Sequence, residues 1–109
     1  MALAYTNEVD LIATNRPDGV VQRVVGCTVT FDAAYAAAGE AITAADIVSS
    51  NGGALGTVDF VAVASSKSTG TELVTWDRAN AKLRVWTADG IEASGDISTV
   101  TAELLVFGR

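Results

Sequence analysis

The chain has 109 residues and a formal charge of −6, thirteen acidic residues against two lysines and five arginines. That length fits a single domain, and an acidic chain without a basic cluster repels phosphate backbones and anionic lipid, so neither nucleic acid nor membrane is expected as a partner. Half the residues are hydrophobic, but many are Ala and Val, so the core should be thin and association with a partner should supply part of the stability.

Residues 1–18 read as an N-terminal arm, with at most a short strand over Glu8-Val9-Asp10-Leu11-Ile12. The arm has no positively charged start followed by an apolar run, so it does not read as a signal peptide. Nowhere does the chain approach the ~18–20 consecutive apolar residues of a membrane-spanning helix. TNRPDG closes the arm as a turn, with Pro17 pre-set for it and Gly19 free to take positive φ. Residues 19–109 then form the domain.

GVVQRVVGCTVTF (19–31) is a strand by its β-branched content. Val25, Cys27, Val29 and Phe31 share one face, and Thr28 and Thr30 the other. Gly26 inside it predicts a bulge or a close backbone approach. Cys27 is the single cysteine, read as a small buried hydrophobe. DAAYAAAG (32–39) is too short for an independent helix and reads as a loop with a helical turn. Thr43 and Asp46 form a capping pair that opens one short helical turn. Ser49-Ser50-Asn51-Gly52-Gly53 reads as a flexible loop that Gly56 closes.

TVDFVAVA (57–64) is a strand that is largely apolar on both faces, the pattern of a central strand covered on both sides. SSKSTG is a polar turn. In WDRANAKLRVW (76–86), a Trp-Asp precedes a strand-like run, which invites comparison with a propeller blade. A propeller needs several blades of ~40–45 residues, and here the Trp-Asp occurs once with no Gly-His before it. The stretch is a β-hairpin with a loop over 77–81, and Trp76 and Trp86 are its large packing residues. Leu83, Val85 and Thr87 face one side, Lys82, Arg84 and Trp86 the other. Asp89-Gly90 marks a second hairpin turn, Ser94-Gly95-Asp96 a further turn, and 100–107 a last strand with Val100, Ala102, Leu104 and Val106 on one face. Short strands with Gly-, Asn- and Asp-rich turns and no long amphipathic helix predict an all-β fold, a compact β-sandwich or jelly-roll-like domain with at most one short helical turn.

The chemistry-bearing residues are few. The chain has no His and one Cys, which removes Ser-His-Asp and Cys-His constellations, thiolate clusters and most zinc sites. Gly52-Gly53-Ala54-Leu55-Gly56 leads into a strand rather than a helix and is no phosphate cradle. Asp32, Glu40 and Asp46 surround one loop, but their spacing matches no calcium-loop pattern, and solvation and capping account for them better. No enzyme activity, cofactor or metal is expected. Trp76, Trp86 and Tyr35 raise a sugar-stacking alternative, against which core or interface packing is the plainer account. Arg pairs bidentately with carboxylates and is favoured at interfaces. Arg16, Arg23, Arg78, Arg84 and Arg109, with Trp76 and Trp86, are therefore the candidate contact residues; an exposed salt bridge is the default for each Arg taken singly.

Taken in order, VTFDAAYAAAGEAITAADI, TVDFVAVA, VTWDRANAKLRVWTADG and DISTVTAELLVFGR resemble small structural proteins of tailed bacteriophages. The shared pattern runs Phe-Asp-x-x-Tyr-x-x-x-Gly-Glu-x-Leu/Ile-Thr, then a strand with Asp-Phe-Val, a hairpin with Tyr/Trp-Asp and Asn-x-Lys-Leu, and an ending close to Val-Thr-x-x-Leu-Leu-Val-x-Gly-Arg. It covers roughly residues 24–109. The stretch 48–56 departs from it, with SSNGGA reading as an insertion, and residues 1–18 have no counterpart. The resemblance implies a virion protein of the capsid decoration, or cement, type. Such a protein would be made in the host cytoplasm, sit on the outer capsid surface, bind the major capsid protein and itself as a homotrimer, and stabilise the shell by clamping neighbouring capsomers. A tail or neck component, and a non-catalytic sugar-binding sandwich module, are the alternatives.

Overall fold

The structure is a computed structural model that describes residues 3–15, 21–33, 35, 38–67, 72–87, 89–94 and 96–109. The TNRPDG turn falls mostly outside these residues, as do Arg16 and much of the SSKSTG turn. The fold is all-β. Strands β1 (Ala4–Asn15), β2 (Val21–Thr30), β9 (Thr101–Gly108) and β6 (Val58–Lys67) form an antiparallel sheet in the order β1-β2-β9-β6. A second sheet takes the order β3-β8-β7, from β3 (Glu40–Ala41), β8 (Lys82–Trp86) and β7 (Leu73–Asp77). A small hairpin joins β4 (Val48–Ser49) to β5 (Gly53–Ala54).

The core lies between the two sheets. From the first come Val25, Cys27, Val29, Val61, Ala102, Leu104 and Val106, and from the second Val74, Leu83 and Val85. The period-2 pattern puts these side chains on one face of each strand, and each large one contributes about 1.5–3 kcal/mol on burial. Ile47, Leu55, Ile97 and Val100 from the connections complete the cluster. The molecule measures 46 × 26 × 22 Å. Part of its length comes from the β1–β2 hairpin, whose pairs Thr14↔Gln22 and Asn15↔Val21 lie beyond Arg23↔Gly108, where β9 ends.

The structure corrects several expectations. The arm is, from Ala4 to Asn15, a full edge strand rather than a tail with a short strand. Its length was hidden because its register shifts twice, between Thr6 and Val9 and between Asp10 and Ile12, which breaks the apolar alternation. These irregularities sit on β1, opposite the Gly26 region, while Gly26 itself supplies the close approach: a Cβ there would meet Leu11 Cδ1 at 3.1 Å. The stretch 49–53 is not a free loop but part of the β4–β5 hairpin. The strand read as central and covered on both sides is β6, an edge strand of the first sheet with Phe60 exposed.

Other expectations match. Val25, Cys27, Val29 and Phe31 are all buried. The helical turn is a single 3-10 turn, Ala44–Asp46, with Thr43 as its N-cap. There the Thr43 side chain makes no capping bond; the Asp46 N–H donates to the Thr43 carbonyl at 3.1 Å instead. The β7–β8 loop is tied by Asp77, whose carboxylate accepts from the Asn80 N–H (3.3 Å) and Nδ2 (2.9 Å). The Asp89-Gly90 turn is present, with Gly90 at φ +82° and its N–H donating to the Thr87 carbonyl at 3.0 Å.

Candidate interaction surface

Each strand of the four-stranded sheet has a second face, directed away from the core. In register across β2, β9 and β6, Val24, Phe107 and Phe60 form one row, and Gly26, Leu105 and Ala62 the next. Thr28, Glu103 and Ser65 form the third. Leu11 lies over Gly26 and is 55% exposed. Phe60 is 42% and Phe107 37% exposed, their rings edge-to-face at 6.0 Å. The Arg78 guanidinium lies over the Phe60 ring, 5.6 Å from its centroid, and forms a charged rim. A hollow of about 220 Å³ opens beside Leu105, lined by Gly26, Thr28, Ala64 and Glu103 among others. Contiguous apolar surface of this kind marks interaction sites.

Arg23 is one of the candidate contact residues, and the structure turns it inward. Arg23 and Asp10 are only 9% and 10% exposed and pair at 2.9 and 3.1 Å through Nη2 and Nε. The guanidinium also donates to the Ala54 carbonyl (3.0 Å), the Gly53 carbonyl (2.8 Å) and Ser49 Oγ (3.2 Å). A buried charge is tolerated only when it is paired and its donors are satisfied, and here both conditions hold. The effect is to fasten the β4–β5 hairpin against β1. Gly52 permits the approach, since a Cβ there would stand 1.9 Å from Asp10 Oδ2. Asn51 completes the docking by accepting from the Asp10 N–H at 2.7 Å and donating to the Asp10 carbonyl at 3.2 Å. The Ser50 N–H donates to the Glu8 carbonyl at 3.0 Å, and the Val48 N–H to the Glu8 carboxylate at 2.7 Å. The residues that read as an insertion thus occupy the outer edge of β1 at positions 8–10, where an open strand would present unpaired backbone groups to other chains.

Arg84 and Trp86 belong to the other sheet. Arg84 pairs with Glu92 (3.1 and 3.2 Å) and stacks on the Trp86 ring at 4.6 Å. Glu92 also accepts from Tyr35 Oη (2.7 Å) and the Ala38 N–H (3.0 Å), while Tyr35 Oη accepts from the buried Val85 N–H (3.0 Å). The Arg84 hydrogen bond, with the Tyr35 and Ala38 donors, lowers the Glu92 pKa to about 2. Burial and the Glu92 acceptor push the Tyr35 phenol well above its ordinary value.

Trp86 Nε1 donates to Thr75 Oγ1 at 2.8 Å, and Trp76 packs partly buried against the core with its Nε1 buried and without a partner among the described residues. Neither ring lines the hollows beside Leu105, Glu8 or Glu72. Arg109 forms an exposed pair with Asp59 at 3.3 Å. Burial raises the Cys27 thiol to about 11, so it is held as the protonated thiol at neutral pH. Among the described residues no three His, Cys, Asp or Glu side chains converge as a metal site.

Of the candidate contact residues that are described, Arg78 borders the apolar face, and Arg23, Arg84 and Arg109 are in intramolecular pairs; Arg16 lies outside the described residues. Phe60, Phe107, Leu105 and Leu11 were not singled out from the sequence. A signal was present: Leu105 and Phe107 are apolar at alternate positions of β9, where a half-solvated strand carries polar residues. Comparisons with protein-family models, with curated proteins and with solved structures return no match.

Proposed function

We propose that this chain is a structural protein of the tailed-phage particle, of the capsid decoration type, which binds the outer surface of the shell and holds neighbouring capsomers together. Its partners in this reading are the major capsid protein and further copies of itself, grouped as a homotrimer. The observation that carries the reading is the apolar outer face of the four-stranded sheet, with Phe60, Phe107 and Leu11 exposed and Leu105 half-buried among them. Such a face suits a molecule whose task is contact. The resemblance over residues 24–109 gives that contact its setting. The β4–β5 hairpin on the edge of β1 suits it too, because a protein held at high local density on a shell must avoid indiscriminate strand pairing.

The test is the copy number of the chain in purified particles, measured by quantitative mass spectrometry against the major capsid protein. A count comparable to the capsid protein is expected. A count of about a dozen or fewer, as ring symmetries give, would place the chain in the neck or tail. Absence from particles would contradict the virion reading.

A further inference from the structure

The outer face of the four-stranded sheet carries a projection and a recess side by side. The projection is the Phe60–Phe107 pair, two strands wide, with the Arg78 guanidinium at its edge. The recess is the hollow of about 220 Å³ beside Leu105, larger than the ~150 Å³ that accommodates a benzene ring in a protein interior. On β9 the two are centred on opposite sides of Leu105, with Phe107 two residues beyond it toward one end and Glu103 two residues before it toward the other. We infer that this face is where copies of the chain meet one another, the aromatic projection of one copy entering the recess of the next about an axis close to Leu105.

Three features favour a further copy as the occupant. A surface with knob and hole on the same face is self-complementary, which is what a two-fold contact requires: residue i meets residue j, and j meets i. The charges are arranged to suit. Arg78 stands at the Phe60 end of the face and Glu103 at the far end of the recess, so inserting projection into recess brings opposite signs together, which fixes register and disfavours slipped pairings. Two adjacent rows, Val24-Phe107-Phe60 and Gly26-Leu105-Ala62, carry no charge, so two chains of formal charge −6 meet there with less repulsion than elsewhere. The area is adequate: eight residues by four strands project to about 500 Å² at ~3.4 Å per residue and ~4.8 Å per strand. With side-chain relief counted, this approaches the ~800 Å² that each partner loses in a stable complex. Sheets meeting this way pack about 10 Å apart with mean strand directions within ~30°.

The inference rests on the reading of the chain as an assembly protein and names the partner for its apolar face, a second copy about a two-fold axis in place of the three-fold grouping of that reading. It is tested on the purified full chain by light scattering during size-exclusion chromatography, at concentrations up to about 100 µM, a range that captures micromolar affinities. The wild type is expected as a dimer, and a trimer, which a reciprocal face-to-face contact does not give, overturns the two-fold geometry. Leu105→Asp and Phe60→Ser should lower the mass about twofold while keeping the wild-type circular dichroism spectrum. Leu73→Asp, at an exposed apolar position on the other sheet, should keep the wild-type mass. A monomeric wild type overturns the inference, as does a folded Leu105→Asp variant that stays oligomeric. A monomer that still binds purified capsids, and loses that binding on Leu105→Asp, overturns self-association and leaves the virion reading standing with this face turned to the shell. A self-associating chain absent from particles does the reverse.

Discussion

Leu104 and Leu105 are neighbours in the chain, identical in type, and opposite in situation. Leu104 is 2% exposed between the sheets, whereas Leu105 stands half-buried among Phe107, Ala62 and Gly26 on the outer face, away from the core between the sheets. The inner face is apolar along the strands, whereas the outer face is apolar in two rows and turns polar at Thr28, Glu103 and Ser65. A strand that is apolar on both faces is therefore ambiguous: it belongs either at the centre of a layered fold or at the surface of a molecule that is itself a layer of something larger. The other sheet resolves the same question differently. Its outer side carries Arg84, Glu92 and Thr75, with Trp86 half-covered by Arg84 and Leu73 the exposed apolar residue beside it, a surface in which polar groups interrupt the apolar ones.

Substitutions sharpen that contrast in order of expected size. Leu104→Asp buries an unpaired carboxylate in the core and should abolish folding. Leu105→Asp should change stability by less than about 1 kcal/mol; equal losses in urea unfolding would erase the distinction between the faces. Next comes Arg23, the charge on the inner side. Arg23→Ala leaves Asp10 buried without its partner and should cost about 3–5 kcal/mol, with hydrogen-exchange protection at Ser50 and Leu55 lost as the β4–β5 hairpin detaches.

On the polar outer side, Glu92→Gln should cost about 1–2 kcal/mol at neutral pH. The Glu92 pKa is lowered in the folded chain to about 2 from 4.5. Its contribution is therefore complete above pH 4.5 and declines as pH falls toward 2. The difference in unfolding midpoint between wild type and Glu92→Gln should shrink over that window, and a difference independent of pH would remove Glu92 from this role. The smallest effect is Arg109→Ala, which breaks an exposed pair with Asp59 and should stay within about 0.5 kcal/mol.

Much of the architecture is legible in the sequence wherever alternation is unbroken. β2, β8 and the inner face of β9 could be read residue by residue, because Val25-Cys27-Val29, Leu83-Val85 and Ala102-Leu104-Val106 repeat at period 2. Asp89-Gly90 announced its turn through backbone chemistry alone. β1 was foreshortened because its irregularities shift the face on which side chains fall. The β4–β5 hairpin reads as a loose loop because it is held by groups 26 to 41 positions away, Arg23 to Ser49, Arg23 to Gly53 and Asn51 to Asp10, and local propensity carries no trace of those bonds. Arg23 itself looked like a surface arginine, since nothing near it in sequence shows that Asp10 and two carbonyls converge on it. The apolar outer face was visible as composition in TVDFVAVA and in Leu105 and Phe107, but the assumption that apolar means covered within the chain assigned it to the interior.

The account stands on the claim that the outer face of the four-stranded sheet is covered by other protein. Carbene footprinting of the purified chain across a dilution series reads this directly, because it reports the accessibility of individual apolar side chains. Labelling of Phe60, Phe107, Leu105 and Leu11 should fall as concentration rises, while Leu73 and Ile91, exposed on the other side of the molecule, stay constant and serve as the internal control. Labelling of the four face residues that is unchanged with concentration, and unchanged again when purified capsids are added, would contradict it.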